Sequence, residues 1–188
     1  MNPVGAFRFS VFLVDRPPGG IASPLEGLGA LATAANAVTA VRFAEVSGID
    51  AGMEVETYHE GGRNTNPLRF TRWGQFSSLV FRRGVTADNG LWEWYFQVQF
   101  QPGAPPRKNG FVLLQAGTAA TALPGIGGQP IAAWFFSNGL PERLTGPGLD
   151  AARNEIAIET LEIAHEGLLR LGQGMIPGLA AFVERLEA

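Results

Sequence analysis

The chain has 188 residues, 46% of them hydrophobic and only 16% charged, with a net charge of −3 and a pI near 5.4. That length suits one domain with a substantial core, and so little charge suggests that part of the surface meets protein. The acidic balance gives no broad basic footprint for nucleic acid, and the absence of cysteine removes disulfides, thiolate catalysis and sulfur-ligated zinc.

Phe7, Phe9, Val11 and Leu13 alternate with Arg8 and Ser10, predicting a first strand over about Ala6–Val14. The start of the chain lacks the basic segment and small-residue cleavage site of a signal peptide. No apolar run reaches the roughly 20 residues of a membrane helix, so the expectation is cytoplasmic synthesis without stable membrane insertion. From about 15 to 39 the chain is rich in Pro, Gly and Ala, which reads as a long insertion with a short helix near Leu28–Ala37. Strand character returns over Ala40–Ile49 and again over Gly52–His59, and two long strands this close suggest a hairpin or an extended ribbon. The loop from Glu60 to Pro67 holds the Gly61-Gly62 pair and Asn residues suited to positive φ, and a strand is expected over Gln75–Arg83.

Leu91–Phe100 is compatible with helix or strand; the short helix is favoured, capped by Asp88 or Asn89, with Leu91, Trp92, Tyr95 and Phe96 on one side. Strands follow over Gly110–Gln115 and Ile131–Ser137, and a last one over about Glu155–Glu166. That strand changes phase. Ile156 and Ile158 fall on one face and Leu161 and Ile163 on the other, so it must either bulge or meet a second apolar surface, such as a neighbouring subunit. Beyond it, Leu168–Ala188 reads as an extension whose last turns, after Pro177, form an amphipathic helix.

The candidate chemistry is sparse. His59 and His165, each followed by Glu, lie about a hundred residues apart, so they are read as strand-end histidines bonded to backbone or solvent rather than as a metal pair. Glu155, Glu159, Glu162 and Glu166 are read as a solvated or lumen-facing row rather than an acid–base pair. Trp73, Trp92, Trp94 and Trp134 would suit a sugar-stacking platform, with core or interface packing the favoured reading. No nucleophile elbow or phosphate loop occurs, and no cofactor is implied.

Four blocks carry a resemblance: Arg42-Phe43-Ala44-Glu45-Val46-Ser47-Gly48-Ile49, Glu54 to Asn64, Arg83-Gly84-Val85-Thr86 with Leu91-Trp92-Glu93-Trp94, and Gly146-Pro147 followed by Asn154 to Gly167. In this order they resemble the tail tube family of contractile phages and phage-derived injection systems. The resemblance implies a mainly β fold over residues 1–167, two packed antiparallel sheets in a sandwich or barrel with one flanking helix, related to the type VI secretion ring protein. It also implies a non-enzymatic role: hexameric rings stacked into a hollow tube that a contracting sheath drives through a target envelope.

The implied partners are the chain itself, a sheath protein, a baseplate hub, a tube initiator or tube paralogue, and cargo in the lumen. Nucleic acid is required only in a true phage tail. The same family implies a virion or tail-like particle as the final location. Carried onto this sequence, Glu54, Glu56 and Tyr58 would lie on a hairpin reaching adjacent subunits. Glu60, Arg63 and Asn64 would lie on a loop contacting the next ring, with Arg63 open between contact and solvent. Ile156, Ile158, Leu161 and Ile163 would be divided between the core and a ring contact. The 15–39 insertion and the 168–188 extension depart from a typical tube subunit and would suit a tube-initiating baseplate ring or a decorated tube. A monomeric β-sandwich that binds carbohydrate through its tryptophans is the reading from another class.

Overall fold

The computed structural model describes residues 9–16, 38–61, 66–116, 129–150, 152 and 155–171. Among these the elements are β1 (Phe9–Asp15), β2 (Val38–Val41), β3 (Glu45–Ser47), β4 (Ala51–Tyr58), β5 (Leu68–Phe76), β6 (Leu79–Gly84), α1 (Gly90–Phe100), β7 (Lys108–Ala116), β8 (Gln129–Thr145), β9 (Ile158–Ala164) and β10 (Gly167–Leu171). The expected insertion therefore lies largely outside the described residues, as does the helix expected at the C-terminus.

All strand pairs are antiparallel, and hydrogen bonding runs β2-β1-β7-β8-β9-β6-β3, with β10 beside β8. The 17-residue β8 makes two sheets out of this path. Its first part pairs with β7 and β10, whereas Leu140–Thr145 pairs with β9. The bend falls at Asn138, where φ is 55°, a left-handed conformation that Asn tolerates better than most residues. Asn109 Oδ1 accepts the Asn138 N–H at 2.8 Å and Arg107 donates to the Asn138 carbonyl at 3.0 Å, so the bend's backbone groups are satisfied. The sequence reading stopped this strand at Ser137 because Asn138-Gly139-Leu140-Pro141 has turn composition. The residues do turn the chain, but as a corner within a strand that passes from one sheet to the other.

Between the sheets lie Val11, Leu13, Leu79, Phe81, Val112, Phe136, Leu161 and Ile163, with Leu91 and Trp94 of α1 closing the core. Phe81 and Phe136 meet at 6.2 Å between ring centres. Gly110 makes room for this packing, since a Cβ there would stand 2.3 Å from the Phe136 ring. Val11 to Val14 are buried on successive residues, so β1 is covered on both faces rather than alternating in and out as its sequence suggested.

Two other expectations are corrected. Ala40–Ile49 is not one strand but the short β2 and β3, which sit at opposite ends of the hydrogen-bonding path, with Arg42–Ala44 crossing between the sheets. The ribbon predicted there is formed instead by β4 with β5, a strand absent from the sequence reading, which expected one strand over Gln75–Arg83. Ser77 and Ser78 divide that stretch into β5 and β6. At the base of the ribbon Gly48 has φ 78°, and an added Cβ would stand 2.2 Å from the Ser78 carbonyl oxygen, so the turn that releases β4 requires glycine.

Candidate interaction surfaces

The β4–β5 ribbon forms a sheet of its own. Every residue of β4 is exposed, and all of β5 beyond Leu68. Among the described residues no sheet or helix packs on it; a two-stranded ribbon is marginal by itself, and this one carries Met53, Val55, Tyr58, Phe70 and a Trp73 that is 71% exposed. A register shift between Met53 and Val55 places one extra β5 residue in the ladder and adds local twist. Glu54, Glu56 and Tyr58 share one face by alternation. Arg72 reaches both acids, at 3.7 and 3.2 Å, and Tyr58 meets Phe70 edge-on at 6.5 Å. These ion pairs are half exposed, so they contribute little to stability and mainly set the pattern of charge on the surface. Glu60 follows the ribbon and is exposed; Arg63 and Asn64 lie outside the described residues.

The two apolar pairs at β9 separate. Leu161 and Ile163 are 1% and 0% exposed and belong to the chain's own core, which leaves them no surface to offer a neighbour. Ile156 and Ile158 are 82% and 46% exposed on the other phase. The buried phase also contains Glu159, which corrects the reading of its acids as a solvated row. Glu159 accepts from Arg83 Nε and, at 3.0 Å, from Trp92 Nε1, while Arg83 also donates to the Asp88 carboxylate at 3.3 Å and carbonyl at 3.1 Å. Buried charges are tolerated only when paired and hydrogen-bonded in this way. The cluster ties β6, β9 and the loop before α1 to the helix itself, and so fixes where α1 lies. Of the two expected helix caps, Asp88 Oδ1 accepts the Gly90 N–H at 3.2 Å, whereas the Asn89 side chain makes no capping bond. Glu166, the last acid of the row, bonds Arg107 and Asn138 at the β8 bend, at 2.7 Å each.

The tryptophans do not form one platform. Trp94 is buried and donates to the Pro106 carbonyl at 2.9 Å, Trp92 is half-buried against Glu159, Trp134 is partly buried, and Trp73 stands on the ribbon. The helical spacing instead aligns Trp92, Phe96 and Phe100, with ring centres 5.9 and 6.0 Å apart. Phe100 is 70% exposed, and Glu93 is the helix's sole charged residue.

His165 joins the ribbon's root to the core. Its ring lies 5.4 Å from Phe76, the last residue of β5, and 6.2 Å from Phe136. Neither ring nitrogen has a hydrogen-bond partner of normal geometry. Burial lowers its pKa from the usual histidine value, outweighing the opposing influence of the Gly167 and Ser77 backbone and the Asp50 charge. His165 does follow the end of β9, as expected, but is packed between aromatic rings, whereas His59, one residue past β4, is exposed to solvent. Among the described residues no three His, Asp or Glu side chains converge to hold a metal.

Among the described residues the architecture is two antiparallel sheets sharing a bent strand, with one helix and a free-standing ribbon. A chain of the anti-feeding prophage baseplate, in a six-fold symmetrised structure, is 24% identical with a TM-score of 0.70, covering 92% of this chain and 97% of that one. A chain of the PVC sheath-tube complex, from an extracellular contractile injection system in the extended state, is 19% identical with a TM-score of 0.64 over 90% and 92% of the two chains. A chain of the anti-feeding prophage tube-terminating cap is 20% identical with a TM-score of 0.67 over 92% and 93%. No curated protein matches the chain by sequence. Residues 6–169 match the T4-like virus tail tube protein gp19 family, and the chain belongs to that family.

Proposed function

We propose that this chain is an inner-tube subunit of a contractile injection system or phage tail, closing into hexameric rings that stack around a lumen and move when a sheath contracts. The role is mechanical and needs no catalysis or cofactor. The observation that carries the reading is the β4–β5 ribbon: a solvent-exposed, partly apolar arm on a body that has already buried its own core, in a chain of the tail tube family. Such an arm is stable in assembly and costly alone. A closed ring also joins one patch to a different one on the next copy, which an arm and a body surface provide.

Sheath, baseplate hub and a tube paralogue are the partners of this reading, with cargo in the lumen. Glu54, Glu56, Tyr58, Glu60, Arg63, Asn64, Ile156 and Ile158 are its proposed contact residues. Negative-stain electron microscopy of the purified chain at rising concentration tests it. Rings or hollow filaments are expected, and a monomer that persists at high concentration would overturn the proposal.

A second reading, the tube-initiating ring of a baseplate, is favoured by the likeness to the anti-feeding prophage baseplate chain and by the 15–39 insertion and C-terminal extension. Copy number decides between them: a tube subunit is present in many rings per particle, an initiator in about one, as closed point-group assembly allows.

A further inference from the structure

Among the described residues, all but one of the exposed large apolar side chains fall into two groups. One is the ribbon, with Met53, Val55, Tyr58, Phe70, Trp73 and Phe76. The other is at the α1 end of the body. It comprises Phe96 and Phe100 on the helix, Leu149 three residues beyond the Gly146 that borders the Trp92 ring, and Val85, Ile156 and Ile158 where β6 ends and β9 begins. Val85 is tied to that strand's start by its N–H to the Ala157 carbonyl at 2.9 Å, and the loop it opens leads directly into α1. Leu169 on β10 stands apart from both.

We propose that the ribbon of one copy docks on the aromatic row of α1, Trp92, Phe96 and Phe100, in a second copy. This rests on the tube-subunit reading and names the surface that receives the arm. Three observations point to that pairing. The two groups differ in shape and sequence, so they suit a head-to-tail contact that propagates around a ring rather than a two-fold dimer. The helix carries a single charge, Glu93, so Met53 and Val55, on the ribbon face opposite Glu54 and Glu56, meet little that must be desolvated. The Arg83–Glu159–Trp92 cluster holds the row in place before any partner arrives, so little ordering remains for the receiving side.

The test uses the absence of native cysteine. In the full chain, Thr71→Cys on the ribbon and Gln99→Cys beside the aromatic row replace two exposed residues. Treatment of the assembled double variant with a short bismaleimide should give a denaturation-resistant ladder from dimer upwards. A mixture of the two single variants should give dimers alone, and each single variant none. In parallel, the F96S/F100S variant should keep the wild-type circular dichroism spectrum and lose ring formation. Rings visible by microscopy without the ladder, or rings formed by F96S/F100S, would overturn this pairing and leave the tube reading standing. A monomeric wild-type chain would overturn both.

Discussion

The body of the molecule and its β4–β5 ribbon are built from similar β-formers, yet they meet solvent in opposite ways. In the body Phe81, Phe136, Leu161 and Ile163 are nearly inaccessible, whereas on the ribbon Val55, Phe70 and Trp73 are largely exposed. Both regions satisfy their ladder hydrogen bonds within strand pairs, so hydrogen bonding does not distinguish them. The difference is in what covers the side chains. The body's described core residues are covered within one chain, whereas in the proposed tube the ribbon is half of an interface. Substitutions in the first should therefore register in the isolated subunit, and substitutions in the second only when copies meet.

The largest effect is expected at Phe136, which sits at the bend of β8 against Phe81, Gly110 and His165. Phe136→Ala should cost about 3–5 kcal/mol in urea unfolding, the range for truncating a buried aromatic. A variant that loses less than a third of that would show that the two sheets do not depend on a shared core. Next comes Glu159→Ala, which leaves Arg83 buried without its main partner and removes the acceptor of Trp92. About 3 kcal/mol should be lost. Tryptophan fluorescence should shift as well, because the indole N–H of Trp92 loses its bond. A fluorescence spectrum that stays the same would place the anchoring of α1 elsewhere.

His165 gives an intermediate test, at the junction of the two regions. Its folded-state pKa lies below the ordinary histidine value because burial disfavours the imidazolium. Above that ordinary value, near 6.5, the ring is neutral in both states and its contribution to stability is complete. As pH falls below it, the unfolded chain takes up the proton first, so stability declines until the folded-state pKa is passed. Asp50 is the charged group acting on the ring, while Glu166 beside it is engaged by Arg107 and Glu142 accepts from Ser78. Thermal melts between pH 7.5 and 5.5 should therefore fall more steeply for the native chain than for His165→Phe. Equal slopes would remove His165 from the account.

Much of this architecture was legible in the chain. The helix over Leu91–Phe100 and the phase change between Ile158 and Leu161 follow from side-chain periodicity, which needs only local information, and so does a strand around Val11 and Leu13, although burial on both faces replaces its alternation. What was hidden depended on partners far apart in sequence. Leu68–Phe76 was passed over as a strand because its Arg, Thr, Trp and Gly lack a clear apolar face, and it needs none on a ribbon exposed on both sides. The β8 bend was read as a stop because turn composition does not say whether the chain leaves the sheet or turns within it. Glu159 was grouped with its acidic neighbours because Arg83, 76 residues away, is what permits its burial. Ile156 and Ile158 could be separated from Leu161 and Ile163 by phase, but only the packing of β6 and β8 against β9 shows which pair is inside.

The smallest effect on the subunit is expected from Trp73→Ser. The indole is 71% exposed and makes no hydrogen bond or ring contact among the described residues, so the isolated chain should change by less than about 0.5 kcal/mol, as surface substitutions away from packed features usually do. Assembly should respond very differently. A large exposed aromatic is the side-chain type that dominates contact energies once it is desolvated, and its loss commonly costs about 2 kcal/mol or more at each interface. In a closed ring that loss recurs at every contact, so the concentration needed for assembly should rise steeply while the melting curve of the monomer stays in place. Sedimentation velocity across a dilution series measures the first quantity and circular dichroism the second. If both moved together, the ribbon would be part of the subunit's own stability. If neither moved, Trp73 would lie outside the contact and the ribbon's docking would have to rest on Met53 and Val55.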